Sequence, residues 1–282
     1  MVRQLKGLQD VISTTVVHPT WQKTRPGQDE HAGWVFGDPN GKPLSNKDGN
    51  GGPFPAAFPG NEPDPLGDAK SIRDVYERAE DTDGKYTVPI LWDKKLNTIV
   101  SNESAEIIRM LNSEFNDFSS TPDLDLYPKD LRDKIDEVNE WVYPNINNGV
   151  YRCGFAKSQE AYDKAIDDLT EAFDKVDALL QKQRYICGDR LTEADIRLFA
   201  TLVRFDEVYV VYFKTNTRTV THTPAILNYC REIYQLVKDT VNMEQIKTHY
   251  YTSHPTLNHY SVIPRGNDFV KLLEEPHNRA EM

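Results

Sequence analysis

A proline within a strand-like segment gives the first candidate for chemistry. Thr87-Val88-Pro89 places Pro89 where a strand would otherwise continue. One interpretation is an edge strand or a turn, because proline donates no ladder hydrogen bond. The other is a cis Val88–Pro89 bond, which would turn the N–H and C=O of Val88 outward to pair with an extended peptide. The local sequence leaves both open.

The pair Glu103-Ser104 is the second candidate, at the predicted start of a helix. Free N–H groups there and the Ser104 hydroxyl suit a carboxylate, and Glu103 suits an ammonium group. These two charges on one carbon are the end of an amino acid, as in a γ-glutamyl peptide. Alternatively, Ser101 to Ser104 only cap their own helix.

The composition narrows the class of protein. Lys and Arg total 33 against 44 Asp and Glu, a net charge of −11, which argues against nucleic-acid binding. No apolar run approaches the roughly 20 residues that cross a bilayer, and no signal-peptide pattern precedes the first elements. Three widely spaced cysteines predict neither a disulfide framework nor a zinc site. We therefore expect a cytoplasmic protein without a membrane partner or a metal.

The elements that position the two motifs mix strand and helix signals. Residues 12–17, rich in β-branched side chains, predict a strand, as do residues 86–93 and, briefly, 98–100. Residues 71–79 predict a helix, and the helix after Ser104 has an apolar face of Ile107, Ile108 and Leu111. Residues 37–67, dense in Gly, Pro, Asn and Asp, predict a surface insertion of turns with no core.

The second half of the chain is predicted to be almost purely helical. Ile166, Leu169, Phe173, Val176 and Leu180 repeat at helical spacing between charged residues. Similar faces occur over residues 131–142 and 226–237. Another helix begins near 192, where we expect the hydroxyl of the threonine and the carboxylate of the aspartate three residues on to cap each other's backbone.

A polar segment at 115–125 separates the two halves. The fold class predicted is α/β plus all-α, with domains at 1–114 and 126–282.

Six segments of the sequence resemble one enzyme family, and the similarity extends over nearly the whole chain. The segments are GWVF (33–36), TVPILWD (87–93), TIVSNESAEIIR (98–109), NGVY (148–151), RFDEVY (204–209) and HYY (249–251). They are similar to the glutathionyl-hydroquinone reductases, the xi class of glutathione transferases, which are akin to the omega class. The resemblance implies a thioredoxin-like domain followed by a helical domain, and commonly a homodimer. Glutathione and glutathionyl-quinol conjugates are the expected partners.

The resemblance also implies roles for individual residues. Trp34, the run Lys85, Tyr86, Thr87 and Val88, and the pair Glu103 and Ser104 would line the glutathione site. Tyr151 would exchange a proton near the substrate. Tyr209 and Tyr251, less surely Tyr250, would hydrogen-bond near the reactive thiolate and lower its pKa. With 14 tyrosines in the chain, a core aromatic remains the alternative for each.

The family's nucleophile belongs to a Cys-Pro-Trp-Ala type motif that this sequence lacks. That thiolate would attack the glutathionyl sulfur, release the hydroquinone and form a mixed disulfide that a second glutathione resolves. The segment from Met1 would be the later part of the helix that carries it, so we expect an N-terminally truncated thioredoxin-like domain without its first strand. Cys153 is only a formal substitute, and Cys187 and Cys230 are expected to be buried and inert.

Three functions remain open from the sequence. The first is a thiol transferase of the glutathionyl-hydroquinone reductase type. The second is a non-catalytic glutathione-transferase-like binding or scaffold protein. The third is a conventional transferase that activates glutathione through a Tyr or Ser hydroxyl.

Overall fold

A computed structural model describes all 282 residues and separates them into two compact units. The mixed unit comprises Asp10–Met110 and Glu244–Pro264. The helical unit comprises Met1–Gln9, Leu111–Met243 and Arg265–Met282. The domain spans 1–114 and 126–282 stay a prediction, because each compact unit combines segments that are not contiguous in the sequence.

The helices are α1 (Val2–Leu5), α2 (Ile72–Arg78), α3 (Ser104–Ser113), α4 (Arg132–Val142), α5 (Gly149–Gly154), α6 (Gln159–Leu180), α7 (Glu193–Arg204), α8 (Val210–Tyr212), α9 (Pro224–Val237), α10 (Met243–Ser253) and α11 (Phe269–Leu273). The strands are β1 (Gln22–Lys23), β2 (Ala32–Gly33), β3 (Leu91–Asp93) and β4 (Thr98–Ser101). Two π-helical turns occupy Tyr143–Asn147 and Phe205–Tyr209, and 3-10 turns occupy Asn116–Phe118, Lys238–Thr240 and Arg279–Glu281. No helix is both long and apolar enough to cross a membrane.

Helix α2 contributes to the buried cluster of the mixed unit and begins where the sequence predicts it. The Asp74 carboxylate accepts from the Ser71 N–H over 2.7 Å, and Ser71 accepts from the Asp74 N–H, a reciprocal cap. Arg25 pairs with Asp74 over 2.6 Å. The buried cluster beside it is Ala69, Ile72, Val75 and Tyr76, and the partly buried Val17, Trp34, Phe36, Tyr86, Val88, Ile90, Trp92 and Ile99 pack against it.

Of the three predicted strands, one is shorter than expected and one is absent. Strand β3 pairs with β4 in an antiparallel hairpin, but residues 86–90, predicted as part of the same strand, make no ladder. Residues 12–17 form no strand, and only Val16 makes an isolated bridge, to Asn61. The reason is that the Asn61 side chain donates to the carbonyls of both Val16 and Val17, which occupies the groups a neighbouring strand would use.

The prediction that residues 37–67 have no core is wrong. Phe58 is buried and its ring lies 5.4 Å from the His18 ring. Asn61 is buried, and Asp64 pairs with Arg78 over 2.8 Å. The segment has few apolar residues but is held by buried polar side chains, a role that composition does not reveal.

The helical unit follows the predicted apolar faces closely. In α6 the residues Ile166, Leu169, Phe173, Val176 and Leu180 are all buried. Helix α5 packs on α6, and α7 packs on α4 and α9. Burying side chains of this size stabilises the fold by about 1.5–3 kcal/mol each.

The start of α7 is capped by a buried carboxylate, as the sequence predicts in part. Asp195 accepts from the backbone N–H of Thr192 over 2.8 Å and from the Thr192 hydroxyl over 2.9 Å. The Asp195 N–H bonds to the Thr192 carbonyl. This carboxylate also accepts from the N–H of Ile186 and the hydroxyl of Tyr229, so it joins α7 to the preceding loop and to α9.

Candidate functional site

The segment before Pro89 presents an unused backbone edge. The Val88–Pro89 bond is cis, the second of the two alternatives left open by the sequence. Neither the N–H nor the C=O of Val88 makes a hydrogen bond within the protein, and its side chain is half-buried. Lys85 and Thr87 are exposed, and Tyr86 is half-buried. The free N–H and C=O of Val88 suit an extended peptide ligand.

The start of α3 carries two exposed polar side chains without partners in the protein. Glu103 and Ser104 make no side-chain hydrogen bond or ion pair and lie at the first turn of α3. The cap is formed instead by Ser101, whose hydroxyl accepts from the Glu103 N–H and donates to Glu106. Since Ser101 serves the helix, Glu103 and Ser104 remain available for a ligand with both charges.

A buried phenol connects these two segments. Tyr76, which is 1% exposed, donates its hydroxyl hydrogen to the Thr87 carbonyl over 2.9 Å. The side-chain amide of Asn102 donates to the Tyr76 oxygen over 2.9 Å. Thr87 is next to Val88, and Asn102 is next to Glu103. The segment that contains Val88 and the segment that contains Glu103 are therefore both hydrogen-bonded to the hydroxyl group of Tyr76 on α2.

Trp34 is held by stacking inside the mixed unit. Its ring lies 4.3 Å from that of His249, with 25° between the planes, and 5.7 Å from that of Trp21 in an edge contact. His249 Nδ1 lies 2.9 Å from the Pro19 carbonyl, and Trp34 also packs against the α2 cluster that Tyr86 and Val88 contact. Three residues predicted for the glutathione site, Trp34, Tyr86 and Val88, thus pack against the same buried cluster.

Two of the three predicted catalytic tyrosines lie together in the helical unit. The ring centroids of Tyr151 and Tyr209 are 6.1 Å apart; Tyr151 is 37% exposed and Tyr209 is buried. Phe213 contacts both rings, at 5.3 and 5.5 Å. Tyr251 belongs to the mixed unit, where it is buried on α10 beside Tyr250.

The three cysteines are all buried, Cys153 as well as Cys187 and Cys230. Burial raises the pKa of Cys153 to about 11 and that of Cys187 to about 12. Burial also raises the pKa of Cys230 well above its ordinary value. These thiols stay protonated near neutral pH, so none has the properties of a reactive nucleophile.

Sequence reasoning missed four contributors to these arrangements. Tyr76 and Phe213 look like core aromatics, and Asn102 looks like a capping residue. Gly154 looks like a helix end, but a Cβ there would lie 2.3 Å from the Phe213 ring, so only glycine lets the ring rest on α5. The one available signal was position, because Asn102 directly precedes Glu103.

Comparison with known proteins places the chain in a family. Residues 159–232 match the glutathione S-transferase C-terminal domain. The chain is 41% identical over 282 residues to the Escherichia coli glutathionyl-hydroquinone reductase YqjG, covering 99% of this chain and 77% of that protein. It is 39% identical to the Sphingobium chlorophenolicum glutathionyl-hydroquinone reductase PcpF, covering 94% of this chain and 77% of that protein.

Solved structures with a similar fold belong to the same family as these sequence relatives. The glutathione-bound structure of YqjG has a TM-score of 0.85 at 41% identity, covering 99% of this chain and 82% of that chain. Glutathione transferase Xi 1 from Trametes versicolor has a TM-score of 0.83 at 45% identity, covering 95% of this chain and 86% of that chain. The fold is that of a glutathione transferase, a thioredoxin-like domain followed by a helical domain. The chain belongs to the xi class of this superfamily, the glutathionyl-hydroquinone reductases.

Proposed function

We propose that this chain binds glutathione in the mixed unit and is a thiol transferase of the glutathionyl-hydroquinone reductase type. The observation that carries the proposal has two parts. The backbone N–H and C=O of Val88 make no hydrogen bond within the protein, and the side chains of Glu103 and Ser104 have no partner there either. Val88 would pair with the cysteinyl residue of glutathione, and Glu103 and Ser104 would bind the ammonium and carboxylate of its γ-glutamyl end. Trp34 and Lys85 would border the ligand.

The tyrosines supply the second part of the proposal. Tyr151, partly exposed above the buried Tyr209, would donate a proton near the leaving hydroquinone. Tyr209 and Tyr251 would donate hydrogen bonds to a thiolate. In a reaction of this type the thiolate of the family's Cys-Pro-Trp-Ala type motif, which this sequence lacks, attacks the glutathionyl sulfur to form a mixed disulfide. The C–S bond breaks, its electron pair leaves with the hydroquinone ring and is protonated there, and a second glutathione displaces the cysteine from the mixed disulfide as glutathione disulfide.

The nucleophile in this proposal is none of the three cysteines of the chain. Each is buried with a raised pKa, which opposes formation of a thiolate. The same observation favours a second candidate function, a non-catalytic protein that binds glutathione or its conjugates and does not turn them over. We also propose a homodimer in the cytoplasm, which sedimentation and fractionation would test.

Calorimetric titration with glutathione tests the binding site. Glu103→Gln and Ser104→Ala should each raise the dissociation constant about tenfold, the effect of losing one charged contact. Glu114→Gln, a matched loss of charge just past the other end of α3, should leave it unchanged. Absence of glutathione binding by the unaltered chain would overturn the proposal.

Turnover of a glutathionyl-naphthohydroquinone with glutathione separates the two candidate functions. If the unaltered chain turns the conjugate over, replacing all three cysteines with serine should leave the rate intact. Loss of turnover in that variant would show that one of them is the nucleophile. Binding without turnover would favour the non-catalytic role.

A further inference from the structure

The hydroxyl of Tyr76 occupies a position with both of its hydrogen-bonding functions in use. It donates to the Thr87 carbonyl over 2.9 Å and accepts from the Asn102 side-chain amide over 2.9 Å. The Thr87 hydroxyl lies 3.2 Å away and completes the group. A phenol has one hydrogen to donate, so the direction of each bond is fixed by its partners.

The Tyr76 side chain is held in place by its packing and by the helix that carries it. Tyr76 is 1% exposed and packs with Ala69, Ile72 and Val75 in the buried cluster. Its helix is capped by Ser71 at the N-terminus. A side chain held on this many sides keeps its hydroxyl at one place.

The two partners of the phenol come from different segments. Thr87 directly precedes Val88, which offers its backbone, and Asn102 directly precedes Glu103. No other hydrogen bond joins these segments except a longer contact from Asn102 to the Thr87 hydroxyl, at 3.4 Å. The β3–β4 hairpin pairs Leu91 with Ser101 just beyond them, and the phenol adds a link between the two segments themselves.

We propose that Tyr76 is a positioning residue that fixes the separation between the Val88 backbone and the Glu103-Ser104 helix start. The inference rests on the proposed function, because it requires that one glutathione molecule contacts both segments. A ligand with two ends binds tightly when the two half-sites are already correctly spaced, since the protein then loses little freedom on binding. Tyr76 touches neither end of the ligand in this role.

The variant Tyr76→Phe tests this, because it keeps the packed ring and removes only the hydroxyl. The dissociation constant for glutathione should rise about tenfold, the order expected for one link between half-sites. Two fragments serve as probes by NMR titration: γ-glutamylmethylamide for the helix start and N-acetylcysteinylglycine for Val88. Their dissociation constants should change by less than about twofold, because each half-site is intact.

Two further variants separate positioning from general loosening. Asn102→Ala breaks the same link from the other side, so the double variant should bind glutathione no more weakly than Tyr76→Phe alone. Tyr229→Phe removes an equally buried hydroxyl in the helical unit. It should lower thermal stability and leave glutathione affinity unchanged.

The outcomes are distinct. Equal weakening of glutathione and both fragments would mean that the hydroxyl only maintains the fold, and unchanged glutathione affinity would mean that it does not set the spacing. Either result overturns the inference alone. Failure of the unaltered protein to bind glutathione would overturn the proposed function itself.

Discussion

The hydroxyl of Tyr229 donates to the carboxylate of Asp195 over 3.0 Å, and both side chains are fully buried. Tyr229 lies on α9 and Asp195 at the start of α7. The carboxylate also accepts from Ile186 and Thr192. One buried carboxyl group therefore joins three segments of the helical unit, and its protonation state should affect stability.

Burial raises the pKa of Asp195 to about 6, above its ordinary value near 3.8. The folded protein then binds a proton between about pH 4 and pH 6 that the unfolded chain has released. The stability that this group contributes is present below pH 4 and is lost as the pH rises through 6, by at most about 3 kcal/mol.

Urea unfolding of the natural protein and of Asp195→Asn, across pH 4 to 7, measures this contribution. The variant does not titrate at this position, so the difference between the two stability curves isolates the contribution of Asp195. Other carboxylates, such as Asp29 and Asp74 with their lowered pKa values, titrate in both proteins and cancel. We expect the natural protein to lose stability relative to the variant as the pH rises. A constant difference, or one of opposite sign, would contradict the prediction.

Two glycines of α5 should respond oppositely to alanine. A Cβ at Gly154 would lie 2.3 Å from the Phe213 ring, so Gly154→Ala should cost about 1–3 kcal/mol by overpacking. A Cβ at Gly149 meets nothing closer than 3.6 Å, so Gly149→Ala should be neutral or stabilising by up to about 1 kcal/mol. Thermal denaturation measures both. Because Phe213 contacts Tyr151 and Tyr209, only Gly154→Ala should change near-ultraviolet circular dichroism.

The cysteines should be unreactive in the folded protein. All three are buried, and burial raises the pKa of Cys153 to about 11. A chromogenic disulfide reagent at pH 8 should label them slowly, and all three rapidly after addition of guanidinium. A fast phase in the folded protein, assigned by mass spectrometry to one of them, would make that cysteine a nucleophile candidate again.

A buried arginine fastens the 3-10 turn Arg279–Glu281 within the helical unit. Arg279, 2% exposed, donates to the carbonyls of Leu180, Gln183 and Arg184. Arg279→Met should lower the free energy of unfolding by about 2–4 kcal/mol, because it leaves buried carbonyls without partners.

The exposed Arg218, paired with Asp174, is the matched control. Arg218→Met should cost less than about 1 kcal/mol, as expected for a surface ion pair. Equal costs in chemical denaturation would show that burial of Arg279 does not determine its contribution.

The sequence predicts best those elements whose own residues determine them. The apolar spacing of α6 and the helix predicted over residues 71–79 each depend on a single segment, and both are confirmed. Strand 12–17 was wrong because its carbonyls bond to Asn61, 44 or 45 residues away in sequence. The candidate site follows the same division: Glu103 and Ser104 are visible as a motif, whereas Tyr76 acquires its role only through folding.

The segmented construction of both units has a consequence for biosynthesis. The mixed unit draws on Glu244–Pro264, where Ser253 accepts a hydrogen bond from the Trp21 N–H and His249 stacks on Trp34. The helical unit in turn draws on Arg265–Met282. Neither unit can complete its contacts until residues 244–282 have been synthesised, so a premature stop shortly after Met243 would leave even the mixed unit incomplete.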